Sequence, residues 1–178
     1  KRSESYIGVM IDDLIRFELT EPYRMFTSRA EHRLLMRQDN ADLRLRPKAY
    51  ALGMISEKQF EKVVRKQKII TEETERLSKT FKILEGKGIN LAQLISRPGY
   101  TYEKARKMFG EVNDHGPEIN DQIEISLKYA GYIERQKKEV LKLERLDHIR
   151  IGRNFDYKKI PGLRNEARQK LIRFEPEN

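Results

Sequence analysis

Apolar residues recur at helical spacing over most of the chain. Ile7, Met10, Ile11, Leu14 and Ile15 follow the i, i+3, i+4, i+7, i+8 pattern and predict a helix from Tyr6 to Phe17. Glu21-Pro22 ends or redirects it, because the residue before proline disfavours helical backbone. Ser28-Arg29-Ala30-Glu31 reads as a capping box, with a helix following through Leu34, Leu35 and Met36. Gln38 to Ala41 is a turn or a new N-cap. Leu43, Leu45 and Tyr50 are the next burial candidates, with Gly53 as a helix C-cap.

A second capping box, Ser56 to Gln59, opens a predicted helix over 57–85. Phe60, Val63, Val64, Ile70, Leu77, Phe81 and Leu84 lie mostly on one face, and Gly86 and Gly88 stop it. Asn90 caps a short helix through Ile95 that ends at Arg97-Pro98-Gly99, and Thr101 starts another through Met108. Residues 110–117 form a loop. A second long helix over 118–147 turns Ile119, Ile123, Leu127, Ala130, Ile133, Val140 and Leu143 or Leu146 inward. Gly131 within it costs about 1 kcal/mol against Ala and predicts close packing. Phe155 to Leu163 is loop and turn, and a last helix near Arg164 holds Ala167 and Leu171. The expected class is all-α: two long amphipathic helices in an antiparallel arrangement, with short helices around them.

Composition sharpens this reading. The 178 residues are 38% hydrophobic and 37% charged, enough for one domain or two small ones. The absence of Cys excludes disulfides, thiolate metal sites and a thiol nucleophile. No apolar run reaches membrane-span length and no signal-peptide pattern opens the chain, so a cytoplasmic setting is the default. The start at Lys1 and the stop after Phe174-Glu175-Pro176-Glu177-Asn178 suggest a piece of a longer protein.

Catalytic candidates are few. His32, His115 and His148 lack metal-ligand spacing and suit solvent-exposed or helix-end roles. Asp12-Asp13 could hold a metal, although helix-surface or capping duty fits better. No phosphate-binding glycine motif or nucleophile elbow is present.

Binding is better represented. Lys and Arg number 37 against 28 Asp and Glu, a formal charge of +9. Residues 24–48 hold seven basic side chains, Arg24, Arg29, Arg33, Arg37, Arg44, Arg46 and Lys48, against Glu31, Asp39 and Asp42. Arginine grips phosphate through a planar fork of donors and stacks on bases. On a helix Arg29, Arg33 and Arg37 would share one face, with Tyr23 and Phe26 as stacking partners. Residues 135–178 carry 13 basic and 7 acidic residues in a more scattered pattern. Nucleic acid is the leading partner class and a membrane surface the competitor. Alternatively, the arginines pair with local carboxylates and fix a buried corner.

The string Glu21-Pro22-Tyr23-Arg24-Met25-Phe26-Thr27-Ser28-Arg29-Ala30-Glu31-His32-Arg33-Leu34, followed by Arg37-Gln38-Asp39-Asn40-Ala41-Asp42-Leu43-Arg44-Leu45, resembles the signature of the glucose-inhibited division protein A family. That family is the FAD-binding large subunit of the tRNA uridine 5-carboxymethylaminomethyl modification enzyme. Ser5-Tyr6-Ile7-Gly8, Asp12-Asp13-Leu14, Arg97-Pro98, Thr101-Tyr102-Glu103, Lys128-Tyr129, Gly131-Tyr132-Ile133, Arg135-Gln136, Phe155-Asp156-Tyr157 and Pro161-Gly162-Leu163 agree in order. His32 replaces the family's usual Tyr, Ala130 an often-seen Glu, and residues 16–20 lack a usual Gly.

The resemblance implies that residues 1–20 end the FAD-binding domain, 21–55 form the Arg-rich signature, and 56–178 form a helical C-terminal domain cut before its final bundle. It implies an FAD-dependent enzyme that uses NADH and a methylenetetrahydrofolate carbon. With a GTPase partner, that enzyme adds a carboxymethylaminomethyl or aminomethyl group to the wobble uridine of tRNA. The flavin and nicotinamide sites lie upstream, so this piece is expected to hold no cofactor, to be inactive alone and to bind the GTPase weakly or not at all. A homodimer is expected for the full-length enzyme. Within that frame Arg24, Arg29, Arg33, Arg37 and Arg44 are the expected tRNA contacts, with Arg46 and Lys48 next. The alternative is that these groups make salt bridges at a domain or dimer interface.

Overall fold

The computed structural model describes residues 1–17, 21–84, 86–152 and 155–177. They divide into two compact units, Lys1–Gln136 and Lys137–Asn178, with the boundary inside one helix. The described residues form eight α-helices, two 3₁₀ turns and one short hairpin, so the all-α class holds.

In the first unit, α1 (Tyr6–Arg16) starts where the Ser5 hydroxyl accepts the Gly8 amide at 3.0 Å. Its inward face is Val9 and Asp13, both fully buried, while Ile7, Ile11, Leu14 and Ile15 are exposed. Gly8 is required because a Cβ there would run into the Lys1 carbonyl. Its absence lets the first residues lie over the helix. The helix expected after Ser28 does not form. Thr27–Arg29 is a single 3₁₀ turn and 31–36 are further turns, so Arg29, Arg33 and Arg37 share no helix face. Helix α2 (Ala41–Ala51) follows, with Gly53 at φ +70° just past its end. Leu43 packs against the core, whereas Leu45 and Tyr50 stay substantially exposed.

Helix α3 (Glu57–Lys79) begins with the Ser56–Gln59 capping box. Its buried positions are Val63, Lys66, Ile70, Glu73 and Leu77, an unbroken 3-4-3-4 spacing. Val64 is exposed. The helix stops six residues short of the expected end. Strands β1 (Phe81–Leu84) and β2 (Lys87–Asn90) pair antiparallel, with Phe81 opposite Asn90 and Leu84 opposite Lys87. Alternation from Phe81 to Leu84 is a strand period, and Gly86 at φ +76° supplies the turn. Phe81 and Ile83 point to solvent, and Ile89 is buried.

The short helices form as their caps predict: α4 (Leu91–Ser96) under Asn90 and α5 (Tyr102–Met108) under Thr101. Helix α6 (Pro117–Lys128) packs on α3, α4 and α5. Ile70, Leu77, Ile89, Leu91, Leu94, Ile95, Tyr102 and Ile123 form the core. The expected helix over 118–147 is divided at Tyr129 (φ −105°, ψ 8°), and α7 (Ala130–Asp147) starts beyond it. Gly131 has nothing within 4 Å of a would-be Cβ, so the close packing expected there is not found.

In the second unit the end of α7 carries exposed Leu141, Leu143 and Leu146. Tyr157 is buried in a 3₁₀ turn at Tyr157–Lys159, edge-on to Phe155 at 5.1 Å. Helix α8 (Asn165–Phe174) follows Arg164, as expected.

Leu94→Ala, at a fully buried site, is expected to lower unfolding free energy by about 3 kcal/mol. Tyr102→Phe, which removes a buried hydroxyl from two acceptors, is expected to cost about 1–2 kcal/mol. Urea denaturation followed by circular dichroism measures both.

Candidate nucleic-acid interface

The basic segment is built around buried carboxylates. Asp13 is fully buried in α1. Its Oδ1 accepts Arg2 Nη1 at 2.6 Å, and its Oδ2 accepts the Tyr23 hydroxyl at 2.9 Å and Arg29 Nη1 at 3.4 Å. Arg2 also grips Glu31 through Nε at 3.0 Å and Nη2 at 2.8 Å, reaches Asp12 at 3.1 Å, and donates to the Arg29 carbonyl at 2.6 Å. The Arg29 guanidinium lies 5.4 Å from the Phe17 ring centroid and 5.8 Å from that of Tyr23. Burial alone would raise the pKa of Asp13, but the donors from Arg2, Tyr23 and Arg29 outweigh it and hold the carboxyl below its ordinary value. Glu31 is lowered the same way, burial being outweighed chiefly by Arg2. Asp13 is thus neither a metal ligand nor a helix-surface acid. Among the described residues no cluster of three or more His, Cys, Asp or Glu could hold a metal ion.

The other end of the segment is tied to the helical core. Arg37 Nε donates to Asp39 at 3.1 Å, and its Nη1 donates to the Leu34 carbonyl at 2.6 Å. Gln122 of α6 donates to Asp39 Oδ2 at 2.5 Å. Lys66 of α3 reaches Asp42 at 2.8 Å and Glu118 at 2.5 Å. Burial would lower the Lys66 pKa, but those two carboxylates raise it. Arg44 donates to the Glu4 carbonyl, and Lys48 pairs with the Glu4 carboxylate at 2.5 Å. Gln136 closes the corner by donating to the Glu31 carbonyl at 3.0 Å.

The seven expected contacts therefore divide. Arg29, Arg37, Arg44 and Lys48 are committed to carboxylates or carbonyls. Arg24, Arg33 and Arg46 are exposed and make no ion pair among the described residues, and Arg24 lies 5.6 Å from the Phe26 ring centroid. His32 is buried, contrary to a solvent-exposed role, and its Nδ1 has no hydrogen-bond partner among the described residues. His115 is part-buried with Nε2 3.6 Å from Glu73, whereas His148 is exposed.

Two internal ions escape a reading by hydrophobicity, Lys66 and Glu73 on the α3 stripe. Arg76 forks onto Glu73 at 2.6 and 2.7 Å. The Tyr102 hydroxyl shares its proton between Glu73 at 3.0 Å and the Asn113 carbonyl at 2.8 Å. Burial would raise the Glu73 pKa, but Arg76 and Tyr102 lower it. Burial and then the Glu73 charge push the Tyr102 phenol up. The signal was in the spacing: 66 and 73 continue the 63, 70, 77 stripe.

Fold and site define a small helical domain with an arginine segment fastened at both ends and a few guanidinium groups left outward. Residues 57–137 match the family model described as the tRNA modifying enzyme MnmG/GidA C-terminal helical domain. The tRNA uridine 5-carboxymethylaminomethyl modification enzyme MnmG of Protochlamydia amoebophila is 56% identical over 177 residues, covering 99% of this chain and 28% of its own length. The Chlamydia felis enzyme of the same name is 48% identical over 176 residues, with 98% and 29% covered. The form II crystal structure of Aquifex aeolicus GidA superposes with a TM-score of 0.76 at 43% identity, covering 99% of this chain and 29% of that one. The chain belongs to the MnmG/GidA family and spans less than a third of the length of these relatives.

The lowered carboxyls set an acid limit. Their contribution to stability is full above the ordinary carboxylate value of about 4 and is lost as pH falls through the lowered folded values. The melting temperature is expected to hold from about pH 5 to 8 and to drop below about pH 4. Asp13→Asn is expected to melt lower at neutral pH and to show a shallower acid decline, read by thermal circular dichroism across pH.

Proposed function

We propose that this chain is the tRNA-positioning part of an FAD-dependent enzyme that modifies the wobble uridine together with a GTPase partner. The observation that carries the reading is the set Arg24, Arg33 and Arg46, exposed and without an ion pair among the described residues, on a segment whose other basic groups are fastened. Guanidinium groups held this way contact phosphate and fix register without choosing bases. The target base must leave its stack to meet the flavin. Among the described residues the only strands are the short β1–β2 pair, so no βαβ unit cradles a dinucleotide. Within this proposal the flavin and NADH sites lie in another part of the enzyme, and this piece alone is expected to be inactive. Among the described residues no helix is long and apolar enough to cross a membrane. A cytoplasmic setting belongs to the same proposal.

The domain boundaries at 20 and 55 and a homodimeric full-length enzyme belong to the same proposal. The structural alternative has specific support for Arg29, Arg37, Arg44 and Lys48, whose partners lie inside this chain. The two readings apply to different residues. Phosphate contact falls to Arg24, Arg33 and Arg46, and scaffold duty to the other four.

Arg33→Ala and Arg46→Ala in the full-length protein are each expected to weaken tRNA binding several-fold and to reduce the salt slope by about 1, with the melting temperature unchanged. Arg29→Ala is expected to lower the melting temperature first. Filter binding across a salt series, with thermal unfolding alongside, separates the two groups. Unchanged tRNA affinity in both Arg33→Ala and Arg46→Ala contradicts the reading.

A further inference from the structure

Between α2 and α3 lies a second feature that the arginine segment does not explain. Tyr50 and Phe60 stack face to face, with ring centroids 4.3 Å apart and planes within 4°. Tyr50 remains 37% exposed. The pair opens onto a groove of about 540 Å³ whose floor includes Val64 and whose cationic side is Arg65 and Lys68. Arg65 is exposed and makes no ion pair among the described residues, and Lys68 has only a 3.7 Å contact with exposed Glu72.

Chain geometry ties this groove to the outward arginines. Arg46 and Tyr50 are four residues apart on α2, and Phe60 and Val64 are four apart on α3, so each pair shares a helix face. The groove also carries Glu57 and Glu61. Those carboxylates repel phosphate but accept hydrogen bonds from the amino groups of bases. A purely anionic ligand is disfavoured there. A flat π-system with polar edges, joined to a phosphate that settles on Arg65 and Lys68, meets every group that lines the groove.

We infer that Tyr50 and Phe60 form a stacking platform for one unpaired nucleobase of the bound RNA, with Arg65 and Lys68 holding its flanking phosphate. This rests on the RNA-binding reading above and adds what that reading lacks, a site that distinguishes single-stranded from duplex RNA. Stacking on an aromatic ring tolerates any base but requires it to be unpaired. The platform therefore favours a loop over a stem.

The test compares two RNAs on the full-length protein: an anticodon stem–loop and a blunt duplex with the same number of phosphates. Wild-type protein is expected to prefer the stem–loop. Phe60→Leu and Tyr50→Leu are expected to weaken stem–loop binding about tenfold and to leave duplex binding within twofold. Tyr50→Phe and Phe60→Tyr, which keep the rings, are expected to retain the preference. Arg65→Gln, an exposed change that leaves the stack intact, is expected to weaken stem–loop binding even if a leucine variant proves unstable. If wild-type protein binds neither RNA, the RNA-binding reading and the platform fall together. If it binds both RNAs and neither the leucine variants nor Arg65→Gln alters the stem–loop preference, the platform alone is overturned.

Discussion

A carboxylate removed from water must be matched by donors, and Asp13 is the place where this requirement organises the chain. Its side chain is fully buried, and three donors converge on it from sequence positions 2, 23 and 29. Breaking such a buried pair costs about 3–5 kcal/mol, because the remaining charge is left without a partner. The requirement fixes where the first residues lie, how the signature folds back on α1, and why Gly8 must lack a side chain beneath Lys1. Glu73 and Lys66 repeat the principle inside the helical core. They replace apolar contacts at two positions of the α3 stripe with charge networks that join α3 to α5, α6 and α2.

The same requirement sorts the arginines. Several carboxylates and carbonyls of this segment take a guanidinium as donor, and three arginines that are not so engaged are exposed. Arg29 is drawn in by Asp13, Arg37 by Asp39 and the Leu34 carbonyl, Arg44 by the Glu4 carbonyl. These three already direct donors to partners inside the chain. Arg24, Arg33 and Arg46 make no ion pair among the described residues. A long polyanion on this surface would then contact groups held on a rigid segment, losing little side-chain freedom to backbone rearrangement.

Features closed within three or four residues were legible in the sequence. Ser56 with Gln59, Asn90 with Gln93 and Thr101 with Lys104 complete their hydrogen bonds locally, and the helices start where those residues stand. Strand β1 reads as the tail of the long helix because four residues carry too few alternations to outweigh a long helical pattern. The fate of each arginine was not legible, since the partners lie far along the chain: Arg2 to Glu31 spans 29 residues and Arg44 to Glu4 spans 40. The turn at 31–36 followed from the same distant bonds, which hold Arg29 and Glu31 where a helix would carry them away. The family signature showed that these residues belong together without showing which of them point outward.

Arginine-selective chemical modification of the full-length protein, mapped by mass spectrometry with and without tRNA, tests the sorting most directly. Arg24, Arg33 and Arg46 should react quickly in the free protein and be shielded by tRNA. Arg2, Arg29, Arg37 and Arg44 should react slowly in both states. Rapid modification of Arg29, Arg37 and Arg44 in the free protein, or no shielding of the outward three by tRNA, would contradict the account.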